Sequence, residues 1–183
     1  LLTEAIEKGL ALDATIASNE TQAEAFWKLR DSISEAERVD GPALQHDISV
    51  PVHKMADFIT DAGAEIEAAF FGTKVAAFGH MGDGNVHFHV KGPNGVEPKS
   101  WMNEKALEIT PMVHDLVLQY GGSISAEHGI GQNKRQELAR LSSDAQLLTL
   151  RSIKAAIDPK NIMNPGKLVP LRPRGLSSKA LQK

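Results

Sequence analysis

The stretch that decides how this chain folds is Phe78-Gly79-His80-Met81-Gly82-Asp83-Gly84-Asn85-Val86-His87-Phe88-His89-Val90. Asp83-Gly84 is a strong signal for a two-residue hairpin turn, because both central positions of the favoured turn need a positive φ. With that turn, His80 stands opposite His87, and Gly82 stands opposite Asn85. Directly opposed residues have Cβ atoms roughly 4.5–5.5 Å apart on one face of the sheet. The two imidazoles could therefore share a divalent metal ion, or simply stack beneath the turn.

The segments on either side of the hairpin predict the fold class. Residues 12–17 alternate apolar and polar side chains, as a half-buried strand does, and residues 46–52 predict a second strand. Asn19 can cap the helix that follows it, and residues 55–70 repeat apolar side chains at helical intervals. The order of elements predicts an α+β fold, a mostly antiparallel sheet with helices packed on one face. A ferredoxin-like arrangement is the natural candidate.

The length of 183 residues is most simply one domain. We place this domain over residues 1–170, since residues 171–183 are polar and basic without periodicity and predict a flexible tail. The first residue is leucine rather than methionine. The chain is therefore interpreted as a fragment of a longer protein.

Composition excludes several function classes. There is no cysteine, so disulfides and thiolate metal sites are excluded, and any metal must bind nitrogen and oxygen ligands. The net charge is −3 and the basic residues are scattered, which argues against nucleic acid as the main partner. No apolar run is long enough to cross a bilayer. A reducing, cytoplasmic setting is the default prediction.

A second cluster of polar residues lies in the glycine-rich stretch 121–131, where Glu127 and His128 stand between glycines. Adjacent residues on an extended segment point to opposite sides, so these two side chains are expected to have different roles. One could complete a metal site while the other faces a substrate, since a carboxylate with two imidazoles is a recurrent catalytic metal set. A salt bridge within a loop is the ordinary alternative.

Other polar residues also have ordinary explanations. The histidines outside the hairpin read as surface or satisfied core residues; these are His46, His53 and His114. His89 is a weaker candidate ligand, one pair further from the turn than His87. Arg30 reads as a solvated helix residue, and residues 133–135 read as a solvent-exposed helix start.

At these motifs the chain resembles the C-terminal domain of FAD-linked oxidases of the vanillyl-alcohol-oxidase type. That family includes D-lactate dehydrogenases, the flavin subunit of glycolate oxidase and D-2-hydroxyglutarate dehydrogenase. The matching stretches are residues 26–30 (FWKLR), 46–52 (HDISVPV), 79–87 (GHMGDGNVH), 125–131 (SAEHGIG) and 158–167 (DPKNIMNPGK). They follow the family's order across nearly the whole chain.

The resemblance implies a role for each matching residue, in the oxidation of a D-2-hydroxy acid to a 2-oxo acid with hydride passing to the flavin. It implies metal ligands, for zinc or a similar ion, at His80, His87 and Glu127. It implies that His128 is the base that takes the substrate hydroxyl proton. It implies carboxylate binding by Arg30 and Asn85, a hydroxyl from Ser34, and an approach to the flavin by Asn164.

Two departures from the family pattern limit what is expected. Some relatives have a lysine where this chain has Gln45, which favours a monocarboxylate such as lactate or glycolate over a diacid. The N-terminal FAD-binding domain, which binds most of the cofactor, is absent from this chain. The chain alone is therefore expected to lack redox activity, and its partners are expected to be that domain and a small 2-hydroxy acid. The electron acceptor and the oligomeric state stay open, with a homodimer as one option.

Two other classes of function remain as alternatives. A free-standing metal-dependent hydrolase could use His80, His87 and Glu127 around an activated water. A structural module without chemistry could pack the same histidines and pair Glu127 with a basic residue.

Overall fold

The computed structural model describes residues 1–39 and 41–168. The chain divides into two compact units, Leu1–Gly41 and a second unit that begins at Pro42. The tail predicted over residues 171–183 lies outside the described residues. Among the described helices, none is both long enough and apolar enough to cross a membrane.

The first unit contains two helices, α1 (Leu2–Glu7) and α2 (Glu20–Val39). The cap predicted for α2 is confirmed, because Asn19 Oδ1 accepts a hydrogen bond from the backbone N–H of Gln22 at 3.0 Å. The strand predicted over residues 12–17 is wrong, since this segment is irregular and mostly exposed. An alternating pattern forms a stable strand only beside another strand that completes its backbone hydrogen bonds.

The second unit is built around a small sheet. Its elements are β1 (Ala43–Ser49), a 3₁₀ turn (Val52–Lys54), α3 (Met55–Ala69), β2 (Lys74–His80), β3 (Asn85–Lys91), α4 (Pro98–Gln119), α5 (Arg135–Leu141) and α6 (Asp144–Ile157). The strand order is β1-β3-β2, and β3 pairs antiparallel with both neighbours. An isolated antiparallel bridge joins Ser123 to Ser49 at the end of β1. The predicted α+β class is confirmed, and the order of strands and helices is that of a ferredoxin-like unit whose last strand is reduced to this bridge.

The two faces of the sheet differ in character. The face beneath α3 and α4 is apolar, and it carries the central core residues Ile48, Val86, Phe88 and Val90. These four residues are fully buried, and burial of each such side chain contributes about 1.5–3 kcal/mol. The other face, here called the polar face, carries Gln45, Asp47, Phe78, His80, Asn85, His87 and His89. The alternation along each strand thus separates the core from the candidate site.

The hairpin forms, but its predicted register is wrong by two residues. His80 pairs with Asn85, and His87 pairs with Phe78, so the turn comprises residues 81–84. Asp83 stabilises this longer turn, since its backbone N–H donates to His80 O at 3.3 Å and its carboxylate accepts from Asn85 N at 3.1 Å. A shift of two residues keeps every side chain on its original face. His80 and His87 are therefore diagonal neighbours on the polar face rather than a direct pair.

A glycine in this turn allows the hairpin to contact the chain that follows β1. Gly84 has φ +76°, and a Cβ atom at this position would collide with the carbonyl oxygen of Val50. The Gly84 carbonyl accepts a hydrogen bond from Val50 N at 3.0 Å. This contact links the turn to the end of β1.

His46 is a satisfied core histidine on the helix-facing side of β1. It is 3% exposed, and its Nδ1 lies 3.0 Å from the Phe88 carbonyl, while its Nε2 lies 3.1 Å from Thr110 Oγ1. Burial, and then the neighbouring His114, lower the pKa of His46 from 6.5 to about 3. Burial also lowers the pKa of His114, despite its contact with Glu137. Both imidazoles are neutral in the native core at neutral pH.

We predict that acid destabilises the protein through His46 well above the pH at which carboxylates titrate. Its pKa is lowered on folding, so the stability it preserves is fully present above pH 6.5 and is lost as the pH falls toward about 3. At pH 5 the loss from this one group is about 2 kcal/mol. The free energy of unfolding is measured in urea at pH 7 and at pH 5. In His46→Asn, the difference between these two free energies should be smaller by about 2 kcal/mol than in the unmodified chain.

The matched control for this prediction is His53→Asn, because His53 is exposed. That variant should keep the pH dependence of the unmodified chain. Equal pH dependence in all three proteins would show that His46 is not the titrating group.

Candidate active site

Three potential ligands converge on the polar face of the sheet. His80 ends β2, His87 lies on β3, and Glu127 lies on the loop that precedes α5. One ligand atom from each lies within 4.8 Å of the other two, and His80 Nε2 lies 3.5 Å from Glu127 Oε1. Two imidazole nitrogens and a carboxylate oxygen are a set that binds zinc and similar divalent ions. The donor chemistry and the convergence of these three residues therefore fit such an ion.

Asn85 supports this cluster from the strand position opposite His80. Its side chain is almost fully buried, and its Nδ2 donates to Glu127 Oε1 at 2.5 Å. Its Oδ1 has no hydrogen-bond partner among the described residues. The nitrogen is therefore engaged with Glu127, and the oxygen is the atom available to a donor or a cation. The role predicted for Asn85 in carboxylate binding stays a prediction.

His128 lies beside the cluster but is much more exposed. Its side chain is 70% exposed, and its Nδ1 lies 3.4 Å from Asp47 Oδ2. Its ring centroid lies 6.4 Å from that of His87. Because Nδ1 faces Asp47, Nε2 is the ring nitrogen available for proton transfer.

Asp47 is a residue of the site that the sequence reasoning missed. It lies on β1 opposite His87, is 6% exposed, and accepts from the backbone N–H groups of Glu127 and His128 at 3.1 and 2.9 Å. Burial alone would raise the pKa of Asp47, but these two N–H groups and the nearby Lys134 hold it below its usual value of 3.8. Asp47 is therefore a buried carboxylate anion at neutral pH. Strand alternation could have identified Asp47 from the sequence, because it places this residue on the sheet face opposite to that of His46.

Lys134 is the cation that accompanies Asp47. Its Nζ lies 3.7 Å from Asp47 Oδ2 and donates to the carbonyl oxygens of Asp47 and Ile124, each at 2.8 Å. Its side chain is only 18% exposed. The prediction of a solvent-exposed helix start at residues 133–135 is therefore wrong for Lys134, since the carbonyl groups of the loop and of β1 draw its ammonium inward.

His89 lies on the same face as His87 but outside the converging cluster. It is buried, packs edge-on against Phe78 at a centroid distance of 5.2 Å, and pairs with Ala76 on β2. The cluster of ligand atoms does not include it.

Three predicted site residues lie on other parts of the chain. Arg30 lies on α2 in the first unit, where its Nη1 contacts Asp31 Oδ1 at 3.1 Å. Ser34 also lies on α2, but its side chain is outside what the structure describes. Asn164 is exposed on the loop after α6 and has φ +45°. Their roles stay predictions.

The loop that carries Asn164 has a well-defined shape. Asp158 is buried, and its carboxylate accepts from the backbone N–H groups of Ile162 and Met163, both at 3.0 Å. Lys154 donates to the same carboxylate at 2.5 Å and lowers the pKa of Asp158, with help from those two N–H groups. The loop thus presents Asn164 from a stabilised turn.

Comparison with known proteins gives a consistent family. A family model described as FAD linked oxidases, C-terminal domain, matches residues 1–168. The D-2-hydroxyglutarate dehydrogenase of Stutzerimonas stutzeri is 36% identical over 163 residues, which cover 89% of this chain and 35% of that protein. The mitochondrial D-2-hydroxyglutarate dehydrogenase of Arabidopsis thaliana is 35% identical over 170 residues, which cover 92% of this chain and 29% of that protein. That of Danio rerio is 36% identical over 169 residues, with 92% and 30% covered.

The chain therefore spans about a third of the length of these relatives. The resemblance predicted from the hairpin and the Glu127–His128 loop is confirmed by the family match. This chain belongs to the family of FAD linked oxidase C-terminal domains.

Proposed function

We propose that this chain is the substrate- and metal-binding part of a flavin-dependent dehydrogenase that oxidises a D-2-hydroxy acid to the 2-oxo acid. The observation that carries the proposal is the convergence of His80, His87 and Glu127 on one face of the sheet, with His128 beside them. The names of the relatives support a dehydrogenase over a metal-dependent hydrolase. The cytoplasmic setting and the homodimer stay predictions.

The residues of the site have different roles in the proposed reaction. His80, His87 and Glu127 would hold a divalent ion, for which zinc is the expectation. A bound ion supplies Lewis-acid stabilisation of the substrate hydroxyl and carboxylate oxygens, and bound FAD supplies the acceptor for the hydride from C2. Arg30 and Asn85 are the predicted contacts to the substrate carboxylate, and Ser34 is predicted to contribute a hydroxyl. Asn164 is the predicted contact to the flavin.

His128 is proposed to move the proton. Its Nε2 takes the hydroxyl proton of the substrate as C2 loses its hydride, so that the C2–O bond becomes a carbonyl. A positioned base of this kind contributes about 10²–10⁴-fold in rate. The nearby Asp47 carboxylate stabilises the imidazolium that forms.

The proposal also concerns which D-2-hydroxy acid is the substrate. The relatives are named for D-2-hydroxyglutarate, a diacid. Gln45, exposed on the polar face beside His89, is uncharged where some relatives have a lysine, which favours a monocarboxylate such as lactate or glycolate. The diacid and the monocarboxylates share the 2-hydroxy carboxylate group that the site would bind. Only the diacid carries a second carboxylate.

We predict that the chain binds one divalent ion and that substitution of any of the three ligands weakens its binding. Zinc titration by calorimetry should show one site in the unmodified chain. His80→Ala, His87→Ala and Glu127→Gln should each weaken binding by at least about tenfold, because a three-ligand site loses a direct bond. His53→Ala is the control and should bind normally. A structural module would show no stoichiometric zinc in any of these proteins.

We predict that His128→Asn separates catalysis from metal binding. The protein in which this chain is joined to its FAD-binding domain should bleach its flavin on addition of a D-2-hydroxy acid. His128→Asn should slow this reduction by about 10²–10⁴-fold, while its zinc affinity stays within a few-fold of the unmodified protein. Flavin that is not reduced by D-lactate, glycolate or D-2-hydroxyglutarate in the unmodified protein would exclude the proposed function.

We predict that Gln45→Lys shifts the preference toward the diacid. A cation on the polar face would bind the distal carboxylate of D-2-hydroxyglutarate but has no partner on D-lactate. The ratio of kcat/KM for D-2-hydroxyglutarate to that for D-lactate should rise about tenfold or more, which is the effect of one charge-assisted hydrogen bond. Gln45→Met is the uncharged control. An unchanged ratio would remove Gln45 from substrate selection.

A further inference from the structure

The loop that carries Glu127 and His128 has little regular structure of its own. The Ser49–Ser123 bridge fixes its start through two backbone hydrogen bonds of 3.0 and 2.8 Å. At its end, Gly131 O accepts from Leu168 N at 2.7 Å. Between these two points, a bend carries the side chains of Glu127 and His128. The shape of this bend depends on contacts from outside the loop.

Asp47 provides the contact at the centre of this bend. Its carboxylate accepts from two consecutive backbone N–H groups, those of Glu127 and His128. Hydrogen bonds to a carboxylate are shorter and stronger than those between neutral groups, and burial of Asp47 limits competition from water. One side chain therefore fixes the backbone of both residues at once.

Asp47 also fixes where this bend lies relative to the hairpin. It stands on β1 directly opposite His87 on β3, so the strand pairing sets the distance from the carboxylate to the hairpin ligands. His80 and His87 come from the hairpin, whereas Glu127 comes from the loop. The side chain of Asn85 on β3 also joins the two halves, through its bond to the Glu127 carboxylate, and Asp47 adds the contact that holds the backbone of the loop against the sheet.

Lys134 completes this arrangement from the start of α5. It donates to carbonyl oxygens on both β1 and the loop, namely those of Asp47 and Ile124. Its charge offsets the cost of burying the Asp47 carboxylate. The ammonium therefore stabilises the same contact between strand and loop from the other side.

We propose that Asp47, with Lys134 as its counter-charge, is a positioning residue that sets the backbone of Glu127 and His128 for ion binding and proton transfer. This inference rests on the proposed function for its catalytic consequence. Its structural content, that one carboxylate holds the two amides, is independent of the reaction. A purely stabilising salt bridge is the competing explanation.

The experiment compares Asp47→Ala, Asp47→Asn and the unmodified chain. Amide hydrogen exchange measured by NMR should be at least about tenfold faster at Glu127 and His128 in Asp47→Ala, because both N–H groups lose their acceptor. Zinc affinity should fall by about 10–100-fold, the usual effect of losing a residue that orients a ligand. Asp47→Asn keeps an acceptor oxygen and should restore part of both properties.

In the protein joined to its FAD-binding domain, Asp47→Ala should lower kcat more than it raises KM. The reason is that misplacement of His128 affects the reacting state more than the bound substrate. Lys134→Met should produce smaller changes in the same direction, since the Asp47 acceptor remains. Asp57→Ala, at an exposed position on α3, is the matched control and should change none of these values.

The competing explanation makes a different prediction. If Asp47 only stabilises the fold, its variants should have a lower melting temperature. The folded variants should then keep the zinc affinity of the unmodified chain and its amide exchange rates at Glu127 and His128. That result would overturn the inference. If Asp47→Ala does not fold, the same comparison is decided by Asp47→Asn. If the unmodified chain binds no zinc, the proposed function fails, and the exchange rates alone still decide whether Asp47 holds the loop.

Discussion

The pairing of β3 with a strand on each side is the interaction on which the rest of the structure depends. Along β3, Val86, Phe88 and Val90 enter the core beneath the helices, while Asn85 and His87 face the other way. A slip of one residue would bury the histidines and expose the core residues. The energy of apolar burial on one face therefore fixes the geometry of the ligand cluster on the other.

β1 carries two buried polar side chains in succession, and each has a different environment. His46 faces the core, where burial keeps it neutral, whereas Asp47 faces the loop, where two N–H groups and Lys134 keep it ionised. Acid disturbs them in sequence. An unfolded histidine gains a proton below about pH 6.5, and an unfolded aspartate does so only below about pH 4. The core face is therefore the first to lose stability, and the carboxylate that holds the loop follows at lower pH.

Sequence reasoning predicted the parts of this structure that short-range patterns determine. The hairpin strands, the shared face of His80 and His87, and the presence of Glu127 nearby were all predicted, and the two-residue error in register left the face unchanged. The turn length was missed because the Asp83 side chain and the contact of Gly84 with Val50 select a longer turn. Asp47 and Lys134 were missed because their roles depend on hydrogen bonds to segments that are distant in the sequence. Short-range sequence patterns do not identify such partners.

The exposure of the site has a consequence for the proposed chemistry. The side chains of His80 and Glu127 are 40% and 46% exposed, and that of His128 is 70% exposed. Electrostatic interactions at such positions are weakened by water, and removal of water strengthens them. The chain supplies only about a third of the length of its relatives. Under the proposed function, the FAD-binding domain would therefore have two tasks, to present the hydride acceptor and to exclude water from the polar face, and ion affinity should be higher in the joined protein than in this chain alone.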